Sequence, residues 1–284
     1  MMNNILVTGS NGQLGYSIKK VSRRFDKYNF IFTEKNQLDL SNFNSIEKYI
    51  INYKINIIIN CAAYTDVENA ENNRELVDLI NHVSVENLAK ICSYNNIQLI
   101  HISTDFIFDG NKDFPYTEKD DPNPINFYGL SKLYGERKIL KYDLKKSVII
   151  RTSWLYSELK NNFVNKIIEK INLNDNINVV NNELGSPTYA IDLANMILEI
   201  IPKLENNQTE IYHFSNIGVC SRYEFAKKIN SITLGESKIN SINSLDSVVR
   251  RPEFSALDSS KAINEFGIHI NTWEESLIEY LKEK

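Results

Sequence analysis

Tyr128 and Lys132 stand four residues apart in INFYGLSKLYGERKIL, residues 125–140. On a helix, positions i and i+4 share one face, so a phenol and an amine would lie side by side. A free tyrosine titrates near pH ~10 and exchanges protons poorly at neutrality. An ammonium beside it stabilises the phenolate and lowers that value. The pair could therefore pass a proton to an oxygen atom, or it could be two ordinary residues on a helix surface. A further candidate lies upstream, where Ser103 and Thr104 end the apolar run IQLIHIST. A hydroxyl there can donate to a carbonyl oxygen, or bond the backbone of a turn as Ser and Thr commonly do. Asp105, which follows, can cap the same turn.

Which chemistry these residues perform depends on the elements that hold them. Residues 4–7, 28–33, 55–60, 97–103 and 147–153 are short runs rich in Ile, Val and Phe. Strands this continuously apolar predict a parallel sheet buried on both faces. Stretches of helical periodicity separate them, including YSIKKVSRRF, NSIEKYIINY, LVDLINHVSVENLAKICSYN and the Tyr128 stretch itself. Strand–helix alternation predicts an α/β fold with a Rossmann-type, doubly wound parallel sheet. Beyond about Arg151 the pattern loosens into helical segments and a few short strands, INVVN and EIYHFS. Ser221 with Glu224, and Thr272 with Glu275, have capping-box spacing and mark helix starts. The expected division is a dinucleotide-binding part over residues 1–153, with some later segments returning to it, and a smaller mixed α/β part over 154–284.

The dinucleotide reading comes from ILVTGSNGQLGYSI, residues 5–18. Gly9, Gly12 and Gly15 follow a strand and open a helix. Gly9 permits the sharp turn, Gly12 the approach of backbone to a pyrophosphate, and Gly15 close packing of helix on sheet. The helix N-terminus offers free N–H groups and a favourable dipole to phosphate, and Asn11, Gln13 and Leu14 complete the turn. At the end of the second strand an acidic residue can bond ribose hydroxyls, and a cation can accept a 2′-phosphate. Glu34 is the first and Lys35 the second, so NADPH and NADH both remain open.

Bulk properties narrow the rest. The chain has 284 residues, 42% hydrophobic and 24% charged, with a formal net charge of -4 and no long basic run. That composition is ordinary for a globular protein and argues against nucleic-acid binding. The 3 cysteines, Cys61, Cys92 and Cys220, form no CxxC pair, which fits a reducing compartment without a disulfide framework or zinc site. The sequence opens directly on a strand-like run and has no span-length apolar segment, so a cytoplasmic location away from membranes is expected.

The GxxGxxG spacing resembles that of the extended short-chain dehydrogenase/reductases, which act on nucleotide sugars. GQLG (12–15), NCAAYTDVENAE (60–71), STDFIFDG (103–110), YGLSKLYGE (128–136), RTSWLY (151–156), GSPT (185–188) and RRPEFSALD (250–258) together resemble the dTDP-4-dehydrorhamnose reductase family, along nearly the whole chain. The resemblance implies NAD(P)H-dependent reduction of the C4 ketone of dTDP-4-dehydrorhamnose, for polysaccharide synthesis. Tyr128 would give a proton to the ketone oxygen as hydride reaches carbon, Thr104 would polarise that oxygen, and Lys132 would support Tyr128 and bond the nicotinamide ribose. Asp39 and Leu40 would flank the adenine, and Ala62, Ala63 and Tyr64 would line the cofactor path. Asp105, Trp154 and Arg251 would contact the nucleotide sugar, Trp154 against the deoxysugar ring and Arg251 at the pyrophosphate, with Arg250 an equal candidate. The loop NNELGSPTYA (181–190) would close over the substrate.

Related sugar dehydratases usually carry glutamate where this chain has Phe106, which removes the base that dehydration needs. Some family members bind magnesium between subunits through glutamates; the matching positions here are Ser17 and Ile191, so no metal is expected, and monomer and homodimer both stand. The usual basic residue of the 60–71 stretch is Asn69 here. Two alternatives keep the resemblance: a reductase of another nucleotide-linked 4-keto-6-deoxy sugar, or a non-catalytic partner similar to the regulatory beta subunit of methionine adenosyltransferase.

Overall fold

The computed structural model describes residues 2–159, 161–243 and 249–284. Five strands follow the apolar runs: β1 (Asn3–Thr8), β2 (Tyr28–Thr33), β3 (Ile55–Asn60), β4 (Gln98–Thr104) and β5 (Val148–Thr152). They pair in parallel in the order β5-β4-β3-β1-β2, and the Glu210–His213 strand adds to the outer edge of β5. The EIYHFS run therefore completes the main sheet rather than the smaller part.

Alternate residues of each strand enter opposite cores, because side chains along a strand point to opposite faces. Ile5, Val7, Ile57, Ile59, Val148 and Ile150 pack under α1 (Gln13–Val21) and the Ala190–Ile200 and Ser260–Phe266 helices. Leu6, Ile58, Leu99 and Ile149 face the other way, onto α2 (Phe43–Tyr53), the Ser84–Asn95 helix and Ile139 of the Phe127–Tyr142 helix. Both layers are buried and apolar, which is why these strands read as unbroken apolar runs. The sheet is thus doubly wound, with helices on each face.

A separate core lies beyond the carboxyl edge of β5. It joins Tyr156, Ile167, Ile171, Val179, Phe225, Ile229, Leu277 and Tyr280. A parallel pair, Ile177–Val180 with Ile239–Ile242, borders it. Both expected capping boxes form: Ser221 with Glu224 starts the Arg222–Ile232 helix, and Thr272 with Glu275 starts the Trp273–Lys282 helix. No helix among the described residues is long and apolar enough to cross a membrane.

Candidate active site

The turn after β1 is shaped by crowding. Gly9 has φ +64°, and a Cβ there would stand 2.7 Å from the Ala62 nitrogen, so both the backbone and the space favour glycine. Gly15 is crowded by the Gly9 carbonyl, so it packs on the turn itself rather than on the sheet as the spacing predicts. Gly12 caps α1 without any side-chain hydrogen bond to the helix. The first-turn N–H groups of α1 thus have no side-chain acceptor at the cap, and they are the donors a phosphate takes.

In front of the turn opens a cleft of about 360 Å³, lined by Gly9, Gly12, Glu34, Lys35, Asp39, Leu40, Ala62 and Ala63 among others. Eight of the twelve positions from Gly9 to Ala63 singled out for cofactor contact line this cleft, whereas Asn11, Gln13, Leu14 and Gly15 do not. Leu14 buries its side chain in the core, leaving only backbone for a ligand. Gln13 spends its amide across the lobes, donating to the Leu155 carbonyl at 3.3 Å and accepting from the Ser157 hydroxyl at 3.1 Å. Asn11 is exposed on the turn. Asp39 accepts from the Ser41 N–H and hydroxyl, which hold its carboxyl below the usual range.

Tyr64 is pinned by a reciprocal pair of bonds. Its N–H donates to Asn81 Oδ1 at 2.8 Å, and Asn81 Nδ2 donates to its carbonyl at 3.0 Å and to Ser131 Oγ at 3.0 Å. Asn81 sits in a π turn, Leu79–Val83, between two α-helical segments. The periodicity of this stretch reads as plain helix, so neither the turn nor Asn81 is visible in the sequence.

Thr104 ends β4. Its hydroxyl donates to Asp105 Oδ1 at 3.1 Å and accepts from the Phe106 N–H at 3.2 Å. Thr104, not Asp105, caps the short turn that follows. Asp105 is buried, and desolvation pushes its carboxyl up to about 6 against the pull of Ser255, Thr104 and Arg222.

Tyr128 and Lys132 both lie on the buried side of the Phe127–Tyr142 helix. Asn126 starts this helix by accepting from the Gly129 N–H at 2.9 Å. Glu136, one turn past Lys132, forms a buried two-pronged pair with Arg151 of β5, at 3.0 and 2.7 Å, which ties the helix to the sheet. The Tyr128 ring meets Phe106 edge-on at 5.7 Å. Burial pushes the phenol up to about 12; Thr104 opposes this and Asp105 reinforces it. Lys132 is not what acts on the phenol in this state, contrary to the expectation from their spacing. Its amine donates instead to the Ile102 carbonyl at 2.6 Å, and burial brings it down to about 8.

Trp154 takes a left-handed backbone, φ +45°, and is half-buried. The Arg222 guanidinium lies over its ring at 3.5 Å. Burial lowers Arg222 to about 10, while Glu183 and Asp105 support its charge. Sequence reasoning reads Arg222 only as the first residue after a helix cap. Arg251 pairs with Glu68 at 2.7 Å, and Arg250 is exposed, its carbonyl accepting from Asn126.

The model of the RmlD substrate binding domain matches residues 2–284. The dTDP-4-dehydrorhamnose reductase of Aggregatibacter actinomycetemcomitans is 34% identical over 287 residues, covering 97% of each chain. The chain belongs to the dTDP-4-dehydrorhamnose reductase family. Another similar relative is the spore coat polysaccharide biosynthesis protein SpsK of Bacillus subtilis (strain 168), 36% identical over 285 residues, covering 100% of this chain and 98% of the relative. The crystal structure of a dTDP-4-dehydrorhamnose reductase from Bacillus anthracis in complex with NADP superimposes with a TM-score of 0.94 at 34% identity, covering 100% of both chains. Within the dTDP-4-dehydrorhamnose reductase family, this member carries its hydroxyl, phenol and amine on β4 and one helix, beside a glycine-lined cleft.

Proposed function

We propose that this protein reduces the C4 ketone of dTDP-4-dehydrorhamnose to the alcohol of dTDP-L-rhamnose, with NADPH or NADH, for cell-surface polysaccharide synthesis. The observation that carries this reading is the meeting of Thr104 and Tyr128 beside Asp105 at the carboxyl end of β4, where ligands bind in such sheets. A nicotinamide dinucleotide, when bound, supplies the hydride. Gly9, Gly12 and the first turn of α1 hold its phosphates, the cleft from Glu34 to Leu40 takes its adenosine, and Ala62, Ala63 and Tyr64 line its path.

Tyr128 donates the proton to the ketone oxygen. Its high proton affinity in the closed pocket keeps it in the acid form until negative charge develops on that oxygen. Thr104 turns its hydrogen from Asp105 to the same oxygen, and Lys132 supports the phenolate left behind. Trp154 offers apolar surface to the deoxysugar, and Asp105 and Arg251 contact the rest of the substrate. Residues 154–284 form the nucleotide-sugar part, apart from the segments that return to the sheet. The enzyme acts in the cytoplasm, as a monomer or homodimer.

The experiment is to supply dTDP-4-dehydrorhamnose and follow oxidation of the reduced cofactor. Turnover that falls about 10²- to 10⁴-fold in Tyr128→Phe is expected. Absence of turnover by the unaltered protein, or equal turnover by Tyr128→Phe, refutes the reading. A panel of other nucleotide-linked 4-keto-6-deoxy sugars, ranked by kcat/KM, tests the choice of sugar.

A further inference from the structure

Beneath Lys132 runs a chain of polar groups that no step above uses. The Thr8 hydroxyl donates to Asn60 Oδ1 at 2.6 Å, Asn60 Nδ2 meets His101 Nδ1 at 3.0 Å, and His101 Nε2 faces the Lys132 amine at 3.5 Å. All four side chains are buried: Thr8 is 2% exposed, Asn60 1%, His101 0% and Lys132 2%. They come from β1, β3, β4 and the Phe127–Tyr142 helix, so the chain crosses the sheet under the cofactor cleft, which Thr8 lines.

Each link fixes the next. Because the Asn60 carbonyl takes the Thr8 hydrogen, the Asn60 NH2 is the group turned to His101, and His101 Nδ1 must accept. Burial and the Lys132 charge hold His101 far below the usual imidazole range, so the ring is neutral and its single proton sits on Nε2. Lys132 therefore meets an N–H on its buried side, not a lone pair. An ammonium has only donors. One goes to the Ile102 carbonyl, and the others find no acceptor on His101.

We propose that the Thr8–Asn60 pair locks His101 as its Nε2–H tautomer, and that His101 thereby acts as a positioning residue, denying Lys132 an acceptor in the core and leaving its remaining hydrogens for Tyr128 and the cofactor. This rests on the reading of Lys132 given above. In the opposite tautomer the Nε2 lone pair would draw the amine inward.

Two experiments test the lock. Protein labelled with ¹⁵N-histidine, with the His101 signals assigned by their loss in His101→Leu, should show His101 with Nε2 protonated and Nδ1 bare. A protonated Nδ1 overturns the proposal. The second is a rate reversal. Asn60→Asp accepts from Nδ1 and forces the other tautomer; kcat should fall roughly ten- to a hundredfold, as for a misplaced catalytic group. Adding His101→Leu removes the competing lone pair and should restore kcat severalfold. A double variant slower than Asn60→Asp alone overturns the proposal, since two purely structural injuries compound. Lys132→Met serves as the control: full activity in that variant refutes the role of Lys132 itself, whereas a slow Lys132→Met without the reversal refutes only the lock.

Discussion

The Arg222 guanidinium covers the Trp154 ring at 3.5 Å while its Nε lies 3.7 Å from a Glu183 carboxylate oxygen. A cation over an indole contributes up to about 2 kcal/mol when desolvated. The stack therefore holds the ring that is proposed to meet the sugar. Arg222→Ala should raise KM for the keto-sugar roughly tenfold, within that range, with a much smaller change in kcat. Arg222→Lys keeps the charge and loses the flat stack, so its KM should fall between the two. Steady-state kinetics with saturating cofactor measures this, and an unchanged KM in Arg222→Ala would remove Trp154 and Arg222 from the sugar site.

Asp105 should make stability depend on pH in a defined direction. Its folded carboxyl is raised to about 6 from an ordinary 3.8. Between those values the folded state holds more protons than the unfolded one, so stability falls as pH rises through the window. Above it the ionised carboxylate is held at a cost of about 3 kcal/mol, from ~1.4 kcal/mol per pKa unit. Asp105→Asn should therefore be more stable than the parent in denaturant titrations at pH 7.5 and lose that advantage near pH 4. An equal difference at both would refute the burial argument.

Lys132 sets a limit on the alkaline side. Burial brings its amine down to about 8, so the ammonium proposed to support Tyr128 is present below that pH and lost above it. The rate constant kcat should decline as pH rises through about 8, while Lys132→Arg, which stays charged, should lack that decline. A pH–rate profile in both proteins checks it.

Cofactor choice should turn on Glu34 and Lys35, which both line the cleft. A carboxylate favours a free ribose diol and repels a 2′-phosphate. Glu34→Gln should shift the kcat/KM ratio toward NADPH, and Lys35→Ala should shift it toward NADH. Opposite or absent shifts would mean that neither side chain reaches the ribose.

Much of this molecule was legible because its signals are local. The apolar runs announce β1 to β5, the spaced glycines announce the turn, and Ser221 and Thr272 announce their helices. Thr104 shows the limit of that reading: its type and place are evident, but its bonds to Asp105 and Phe106 follow from the turn it caps. Tyr128 and Lys132 share the buried side of their helix as spacing predicts, yet the amine turns to Ile102, a carbonyl 30 residues away. His101 and Asn60 are 41 residues apart, and Asn60 and Thr8 are 52 apart. No periodicity encodes such partners, because sheet order alone brings them together. Arg222 was hidden for the same reason, since the indole it covers belongs to a distant loop.

The Glu210–His213 strand has a consequence for how the chain is made. During synthesis the first five strands emerge well before the strand that covers the edge of β5 and before the Ala190–Ile200 and Ser260–Phe266 helices that cover one sheet face. A growing chain that has reached residue 153 carries an apolar surface and an open strand edge with nothing to seal them, a state prone to association. Ribosome-bound chains stalled there should bind chaperones and yield to protease, and chains of all 284 residues released from the ribosome should resist it. The sheet is thus begun early in synthesis and can be sealed only by segments made after it.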